Sequence, residues 1–175
     1  ISKKTKLEEI DFVIFTGDLS EKQDDFGKLL NVFKDKQIFM VPGNHEGKKS
    51  IQSLVDNYKI HLVGNSPVMI NDDVALFGTN YIPIGIYSTE ESEIFENMLE
   101  NFSSVKDAKF KIQLNHMPPS GTKIGDASPF MPFIGGSDAL TQFLNNFEPD
   151  ITFVGHIHES SGLEEIVNKT RVINI

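Results

Sequence analysis

The sequence contains no cysteine and no tryptophan, and its basic residues are outnumbered by acidic ones. Its 175 residues include 16 Lys and Arg against 25 Asp and Glu, which gives a formal net charge of -9. The absence of cysteine excludes disulfides and thiolate metal sites, and it favours a cytoplasmic protein. The negative charge argues against nucleic acid as a partner, because contact with many backbone phosphates usually needs a basic surface.

Long hydrophobic runs are also missing. No apolar stretch approaches the about 18 residues that a membrane span requires, and no signal-peptide pattern opens the sequence. Hydrophobic residues make up 39% of the sequence, which suits one compact domain over residues 1–175 with a substantial core. We therefore expect a single domain that makes no contact with a membrane.

Strand-like runs alternate with helical patterns in the first third of the sequence, and this order favours parallel strands in an α/β fold. The helical stripes are Phe26, Leu29, Leu30 and Phe33, followed by Ile51, Leu54, Val55 and Tyr58. Three short strand candidates between residues 61 and 78 are separated by tight turns, which predicts antiparallel meanders.

Later signals predict two more helices and a hairpin. Ser88 and Glu91 have the spacing of a capping box, and Ser137 is a predicted N-cap. Residues 163–167 and 171–175 are the predicted arms of a hairpin at the end of the sequence. The segment 117–136 is long and irregular, and its apolar cluster 130–134 predicts a wall or lid of the site, or a contact between copies in a homo-oligomer.

Four predicted strands end directly in Asp, Asn or His. The residues at these ends are Asp18, Asn44 with His45, His116, and His156 with His158. Sites form beyond the carboxyl ends of strands in sheets flanked by helices, and carboxylate, amide and imidazole groups are metal ligands. Alternation along a strand would place the imidazoles of His156 and His158 on one face. The pattern therefore predicts a metal site, whereas His61, the fifth histidine, is interpreted as structural or solvated.

The ordered set Gly17-Asp18, Gly43-Asn44-His45-Glu46, His116 and Gly155-His156-Ile157-His158 resembles the calcineurin-like metallophosphoesterase superfamily. The resemblance implies a two-sheet αββα sandwich, in which two β-sheets pack face to face with helices outside. It also implies a hydrolase that cleaves phosphoesters at a dinuclear metal centre. The implied cofactors are two divalent or trivalent ions of Mn, Fe or Zn, which suit imidazole and carboxylate ligands.

The resemblance assigns a role to each strand-end residue. Asp18 would bridge the two ions, Asn44, His116 and His156 would complete the shell of one ion, and His158 would bind the other. Two ions sharing a bridging water would lower its pKa, so that a metal-bound hydroxide could attack phosphorus near neutral pH.

Residues beside the metal ligands are expected to act on the substrate. The resemblance implies that the catalytic His45 stabilises charge on the ester or protonates the leaving oxygen, and that Glu46 orients His45. Asn80 and Tyr81 follow the strand 74–78, and we expect them to face the substrate pocket.

The first motif of the superfamily, Asp-x-His on a strand before Gly-Asp, is absent. Upstream of Asp18 the sequence contains Asp11 and no histidine. Either the sequence is incomplete at its start, which we favour, or the protein is a degenerate member that binds one metal ion or none. A second ion held by Asp18 and His158 alone would have fewer protein ligands than such sites usually take.

The sequence leaves the substrate open. The leading hypothesis is a phosphoesterase of a small phosphodiester or phosphomonoester, with a weak preference for a phosphodiesterase that takes a cyclic nucleotide. The alternatives are a non-catalytic scaffold on the same fold and a DNA nuclease of the same superfamily. The net charge of -9 counts against the nuclease.

Overall fold

The computed structural model describes residues 6–19, 23–85, 88–127 and 135–175. The strands are β1 (Phe12–Phe15), β2 (Gln37–Met40), β3 (His61–Leu62), β4 (Val68–Met69), β5 (Val74–Gly78), β6 (Phe110–Leu114), β7 (Ile151–Val154), β8 (Glu164–Val167) and β9 (Thr170–Asn174). The α-helices are α1 (Gln23–Val32), α2 (Lys48–Tyr58), α3 (Glu91–Val105) and α4 (Asp138–Phe147). Two short 3-10 helices span Leu7–Glu9 and His158–Ser160. No helix within these ranges has the length and apolar character needed to cross a membrane.

The strands form two sheets. The first has the order β1-β2-β3, and all three strands are parallel. The second has the order β4-β5-β6-β7-β9-β8, in which β5, β6, β7 and β9 run parallel and the edge strands β4 and β8 run antiparallel to their neighbours.

Three buried layers show how the sheets and helices stack. Between the sheets, Phe39 and Val41 pack with Leu76 and Leu114. On the outer face of the first sheet, side chains from α1 and α2 cover Ile38 and Met40. On the outer face of the second sheet, α3 and α4 cover Ala75 and Phe77 with a cluster of buried and half-buried side chains: Ile94, Phe95, Met98, Phe102, Leu140, Phe143, Leu144 and Phe147. The predicted αββα sandwich is therefore confirmed.

The aromatic residues of α3 and α4 fix these helices on the second sheet. Phe143 is fully buried, and its ring lies 6.2 Å from that of Phe77 and 5.7 Å from that of Phe102, centroid to centroid. Burial of one such side chain contributes about 1.5–3 kcal/mol. This packing holds the second sheet in place, and with it the strand ends that carry His116 and His156.

The carboxyl ends of the parallel strands in both sheets meet at one edge of the sandwich. The Thr16 hydroxyl, after β1, donates to the carbonyl of Val154 at the end of β7, 3.4 Å away. Within the second sheet, the N–H of Gly155 donates to the His116 carbonyl at 2.9 Å. These bonds join the loops that carry the predicted metal ligands.

Two local predictions are wrong. β3 is the parallel neighbour of β2, with His61 opposite Phe39, so the strands between residues 61 and 78 do not form one meander. Only β4 and β5 pair antiparallel there. The helix α3 begins at Glu91 after the N-cap Glu90, with no side-chain capping bond, so Ser88 and Glu91 do not form a capping box.

Other local predictions are confirmed. Ser137 caps α4, because its side chain accepts a hydrogen bond from the N–H of Leu140. β8 and β9 form the predicted terminal hairpin.

The apolar face of α1 is narrower than predicted. Of the predicted stripe, Leu30 is buried but Leu29 is 43% exposed. The apolar cluster 130–134 lies outside the described residues.

Candidate metal centre

The loop after β1 turns sharply to present Asp18 to the edge of the sandwich. Gly17 has φ 95° and Asp18 has φ 59°, and His156 after β7 has φ 66°. The left-handed region is uncommon for residues other than glycine, although Asp and His enter it more often than most. A residue held there costs about 1–3 kcal/mol and persists where the surroundings impose it, often at functional sites. Two of the predicted metal ligands therefore lie on strained backbone.

The loops after β1 and β2 pass so close to each other that a side chain on the second would not fit. A Cβ on Gly43 would lie 2.1 Å from Asp18 Oδ1 and 2.5 Å from the Asp18 backbone nitrogen. The glycine thus lets the backbone before Asn44 reach the carboxylate of Asp18.

Four possible metal-ligand atoms, each from a different strand end, converge at this edge. His116 Nε2 lies 2.9 Å from Asn44 Oδ1, 3.2 Å from His156 Nδ1 and 3.3 Å from Asp18 Oδ2. His156 Nδ1 lies 3.0 Å from Asn44 Oδ1. The possible ligand atoms of Asp18, His116 and His156 all lie within 4.8 Å of one another.

The tautomer of His116 follows from its other ring nitrogen. Nδ1 lies 2.7 Å from the carbonyl oxygen of Thr16, which can only accept, so Nδ1 carries the proton. In neutral His116, Nε2 then presents a lone pair towards Asn44 and Asp18. Such a backbone acceptor behind the ring is the usual way in which a metal-binding histidine is oriented.

The donor set fits a metal ion. The carboxylate of Asp18 and the lone pair of His116 Nε2 both accept, so a cation between them would relieve the repulsion of adjacent acceptors. Ligands about 2.0–2.1 Å from an ion lie about 2.9–3.4 Å from one another around a tetrahedral or octahedral shell. The separations of 2.9–3.3 Å around His116 Nε2 agree with this spacing. Mixed nitrogen and oxygen ligands suit Mn, Fe or Zn.

The environment keeps these donors in the forms that bind metal. Burial, together with the charge of the neighbouring His116, lowers the pKa of His156 to about 4, so the imidazole of His156 is neutral near pH 7. Burial acts to raise the pKa of Asp18. In acid, where His116 is protonated, its hydrogen bond and charge, together with the N–H of His45, outweigh burial, so the pKa of Asp18 is below its usual range. Both groups are deprotonated at neutral pH without a metal ion.

The buried Glu46 ties the loops after β1 and β2 together. Its carboxylate accepts hydrogen bonds from the backbone N–H groups of Asp18 at 2.9 Å, of Gly43 at 2.6 Å and of Leu19. The side chain is 5% exposed. These bonds fix the backbone on both sides of the centre, whereas the role of Glu46 in orienting His45 stays a prediction.

His45 and His158 lie at the rim. His45 is exposed, and its backbone N–H donates to Asp18 Oδ1 at 3.1 Å. His158 is also exposed and begins a 3-10 helix, so it does not belong to a strand whose alternation would set the direction of its side chain. It lines a cavity of about 190 Å³ together with Asp18 and His156. His61 lies outside the centre, on β3, with its Nε2 2.5 Å from the carbonyl oxygen of Ser66.

A second cavity, of about 520 Å³, adjoins the centre at Asn44. Asn80 and Tyr81 line it, and so do Lys48 and Gln52 of α2, to which no pattern in the sequence points. Asn101 is a further residue of this region that the sequence prediction did not include, although its position in the sequence gave an indication. It is a polar residue on the apolar face of α3, and it donates hydrogen bonds to the carbonyls of Gly64 and Gly78 at 2.8 and 2.9 Å.

A family model described as calcineurin-like phosphoesterase matches residues 2–160. No curated protein matches the sequence. Solved structures with 13–18% sequence identity to this chain share its fold.

Three of these structures illustrate the likeness. The protein TT1561 of Thermus thermophilus has a TM-score of 0.65 at 15% identity, over 94% of this chain and 76% of its own. The phosphopantetheinyl hydrolase of Mycobacterium tuberculosis has a TM-score of 0.63 at 13% identity, over 94% and 78%. A protein described as a candidate 5′-nucleotidase of Staphylococcus aureus has a TM-score of 0.61 at 18% identity, over 93% and 39%. A fourth match spans 61% of the solved chain, so the present chain covers between 39% and 78% of these four structures.

Proposed function

Because the chain belongs to the calcineurin-like phosphoesterase family, we propose that it is a metal-dependent hydrolase of small phosphoesters. The family generally comprises hydrolases that bind divalent metals. A hydrolase of the same fold acts on phosphopantetheinyl groups and another is described as a candidate 5′-nucleotidase, which supports a small organic phosphate as substrate.

The observation that carries the proposal is the convergence of Asp18, Asn44, His116 and His156. Their donor atoms come from four separate strand ends, and His116 Nε2 lies within 3.3 Å of the other three. These four residues would hold one ion. When bound, the metal would polarise the phosphoryl oxygens and make water a stronger nucleophile.

A second ion would be held by Asp18 and His158. Asp18 and His158 line the same cavity of about 190 Å³, and a carboxylate can bind two cations through its two oxygens. Two protein ligands hold an ion weakly, so this position needs a further ligand to be occupied well. We propose a dinuclear centre because Asp18 and His158 line this cavity together.

His45 would act on the leaving group. Its N–H bond to Asp18 fixes the backbone of His45 beside the centre, while its side chain is exposed at the rim. An imidazole in that position can donate a proton to the leaving oxygen or stabilise the charge that develops there.

The test compares two histidines. His116→Gln removes a proposed ligand, and His61→Gln removes the histidine that lies away from the centre. We expect His116→Gln to weaken Mn²⁺ binding by at least about tenfold and to lower hydrolysis of bis(4-nitrophenyl) phosphate by about a hundredfold or more. We expect His61→Gln to change either quantity by less than about threefold.

Calorimetric titration with Mn²⁺ and a steady-state assay give the two readouts. Metal binding without turnover of any phosphoester would favour the non-catalytic scaffold. Faster cleavage of duplex DNA than of small esters at physiological salt would favour the nuclease. Equal metal binding by both variants would contradict the proposed centre.

A further inference from the structure

The cavity of about 520 Å³ lies between α2, the end of β3 and the loop after β5, and Asn44 is part of its wall. Sites for small organic molecules have volumes of about 300–1,000 Å³. The cavity is therefore large enough for the organic part of a substrate whose phosphoryl group lies at the candidate centre.

The described residues that line this cavity carry no net charge. Its charged side chains are Glu46 and Lys48, one of each sign. The carboxylate of Glu46 already accepts three backbone hydrogen bonds. A polyanionic group would meet Lys48 as the one cation among the described lining residues, so most of its charge would be unpaired, and an unpaired charge out of water is costly. The cavity thus suits an uncharged group.

Part of the wall is apolar. Ile51 of α2, Leu62 of β3, and Ile82 and Ile84 of the loop after β5 line it. Tyr81 lines it too, and this residue is 45% exposed although large aromatic groups usually gain from burial. A ligand with apolar or flat surface would cover these groups.

Two amide side chains add a polar edge to the same wall. Asn80 Nδ2 donates to Asn65 Oδ1 at 2.7 Å, and both residues line the cavity. Asn80 Oδ1 is buried without a hydrogen-bond partner among the described residues. Asn101 binds the carbonyls of Gly64 and Gly78, and so fixes the two backbone segments that carry the amides. The buried Asn80 Oδ1 packs against Gly64 and is closed to a ligand. The exposed Asn65, held by Asn80, can instead offer its Nδ2 donor and the second lone pair of its Oδ1.

We propose that this cavity binds the leaving group of the substrate, and that the leaving group is neutral, partly apolar and bears an adjacent donor and acceptor, as an amide or a pyrimidine imide does. The proposal rests on the proposed phosphoesterase function. It adds the chemical class of the group that is released, and it places Asn65, Asn80 and Tyr81 in its recognition.

The test uses two esters that release alcohols of different size. Thymidine 5′-phosphate releases a neutral group with an imide edge, and glycerol 3-phosphate releases a small neutral group. Each is assayed with Mn²⁺ as the monoester and as its methyl diester, and the quantity measured is the release of thymidine or glycerol, not of methanol. We expect the wild type to favour the thymidine ester by about tenfold or more in kcat/KM.

Gln52→Trp fills the cavity from α2, and Ser53→Trp is the matched control on the same helix. Each substitution removes one exposed side-chain hydrogen bond. Gln52 donates to Asp56 at 2.8 Å, and Ser53 accepts from Asn57 at 3.1 Å. We expect Gln52→Trp to reduce the preference for thymidine to below about threefold, whereas Ser53→Trp keeps it.

The outcomes separate the two proposals. Hydrolysis of both esters without preference, or a preference that Gln52→Trp leaves intact, would overturn the leaving-group cavity and leave the phosphoesterase function standing. If no ester is hydrolysed, the phosphoesterase function fails, and thymidine itself is titrated into chelator-treated protein. Saturable shifts of the Asn65 and Asn80 side-chain amide signals in NMR spectra, absent in Gln52→Trp, would support the cavity, and their absence from the wild type would overturn it.

Discussion

The carboxylate of Glu46 accepts a hydrogen bond from the backbone N–H of Asp18 at 2.9 Å, across the gap between the loops after β1 and β2. The two residues are 28 positions apart in the sequence. Glu46 thus acts on the centre through the backbone of Asp18, a proposed metal ligand, and we regard Glu46 as a positioning residue.

We expect Glu46→Gln to weaken Mn²⁺ binding by about tenfold, because its amide group would face a backbone N–H where the carboxylate now accepts. We expect the free energy of unfolding to fall by about 1–3 kcal/mol as well. Titration calorimetry on protein shown to be folded separates the two effects. Glu159→Gln, at an exposed position, is the control. A stability loss with unchanged Mn²⁺ affinity would limit Glu46 to a structural role.

The metal-free protein should lose stability as the pH falls from about 6.5 to about 4. His156 has a pKa of about 4 in the folded state against 6.5 for the free side chain. Between these values the unfolded chain binds a proton that the folded state does not, so acid favours unfolding. Above pH 6.5 this effect is absent. Urea unfolding in the presence of a chelator measures it.

His156→Gln should reduce this pH dependence, and His61→Gln should keep it. The lowered pKa of Asp18 acts in the same direction at lower pH, so the comparison is made above about pH 4.5. An unchanged slope in His156→Gln would show that other groups cause the loss.

Ser137→Ala should lower the free energy of unfolding by about 1 kcal/mol, because it removes the N-cap of α4. The hydroxyl of Ser137 also donates to Glu91 at 2.6 Å, and the same carboxylate accepts from the N–H of Ala139 at 2.8 Å. Ser88→Ala should be neutral within about 0.5 kcal/mol. Equal losses in the two variants, measured by urea unfolding, would contradict this assignment of the cap.

Gly64→Ala should destabilise the protein by about 1–3 kcal/mol. A Cβ there would lie 2.3 Å from the backbone nitrogen of Asn80, so the loops after β3 and β5 would have to separate. Gly47→Ala is the matched control, because no atom lies within 4 Å of its added Cβ. Thermal unfolding of both variants checks the contrast. Equal transition temperatures would show that the loops separate at no cost.

The meeting of Asp18, Asn44, His116 and His156 could be expected from the sequence, because each follows a strand and parallel strands share a carboxyl edge. The four residues lie together because their strands are parallel, and the alternation of strand-like and helical segments in the sequence predicts parallel strands. The position of His158 could not be inferred in the same way. The left-handed turn at His156 ends the strand geometry before His158 is reached, so the period of two no longer applies.

Short elements and long-range polar contacts were harder to predict. β3 has two residues, too few for a pattern that distinguishes parallel from antiparallel pairing. Glu91 lies three residues after Ser88 but binds the start of α4, 46–48 positions away, and no local spacing reports such a partner. Likewise, the cavity beside Asn44 is formed by α2, β3 and the loop after β5 only once the two sheets have packed together.

The wide spacing of the donors also bears on when the centre forms during folding. His156 and Asn44 are 112 positions apart, and the bond between Thr16 and Val154 spans 138 positions. Contacts of such high sequence separation form late, because closing long loops is entropically costly. A nascent chain on the ribosome would lack the last donor until β7 has emerged and paired. Tight metal uptake would then mark the end of folding, and the appearance of bound Mn²⁺ during refolding should coincide with the final phase of tertiary structure formation.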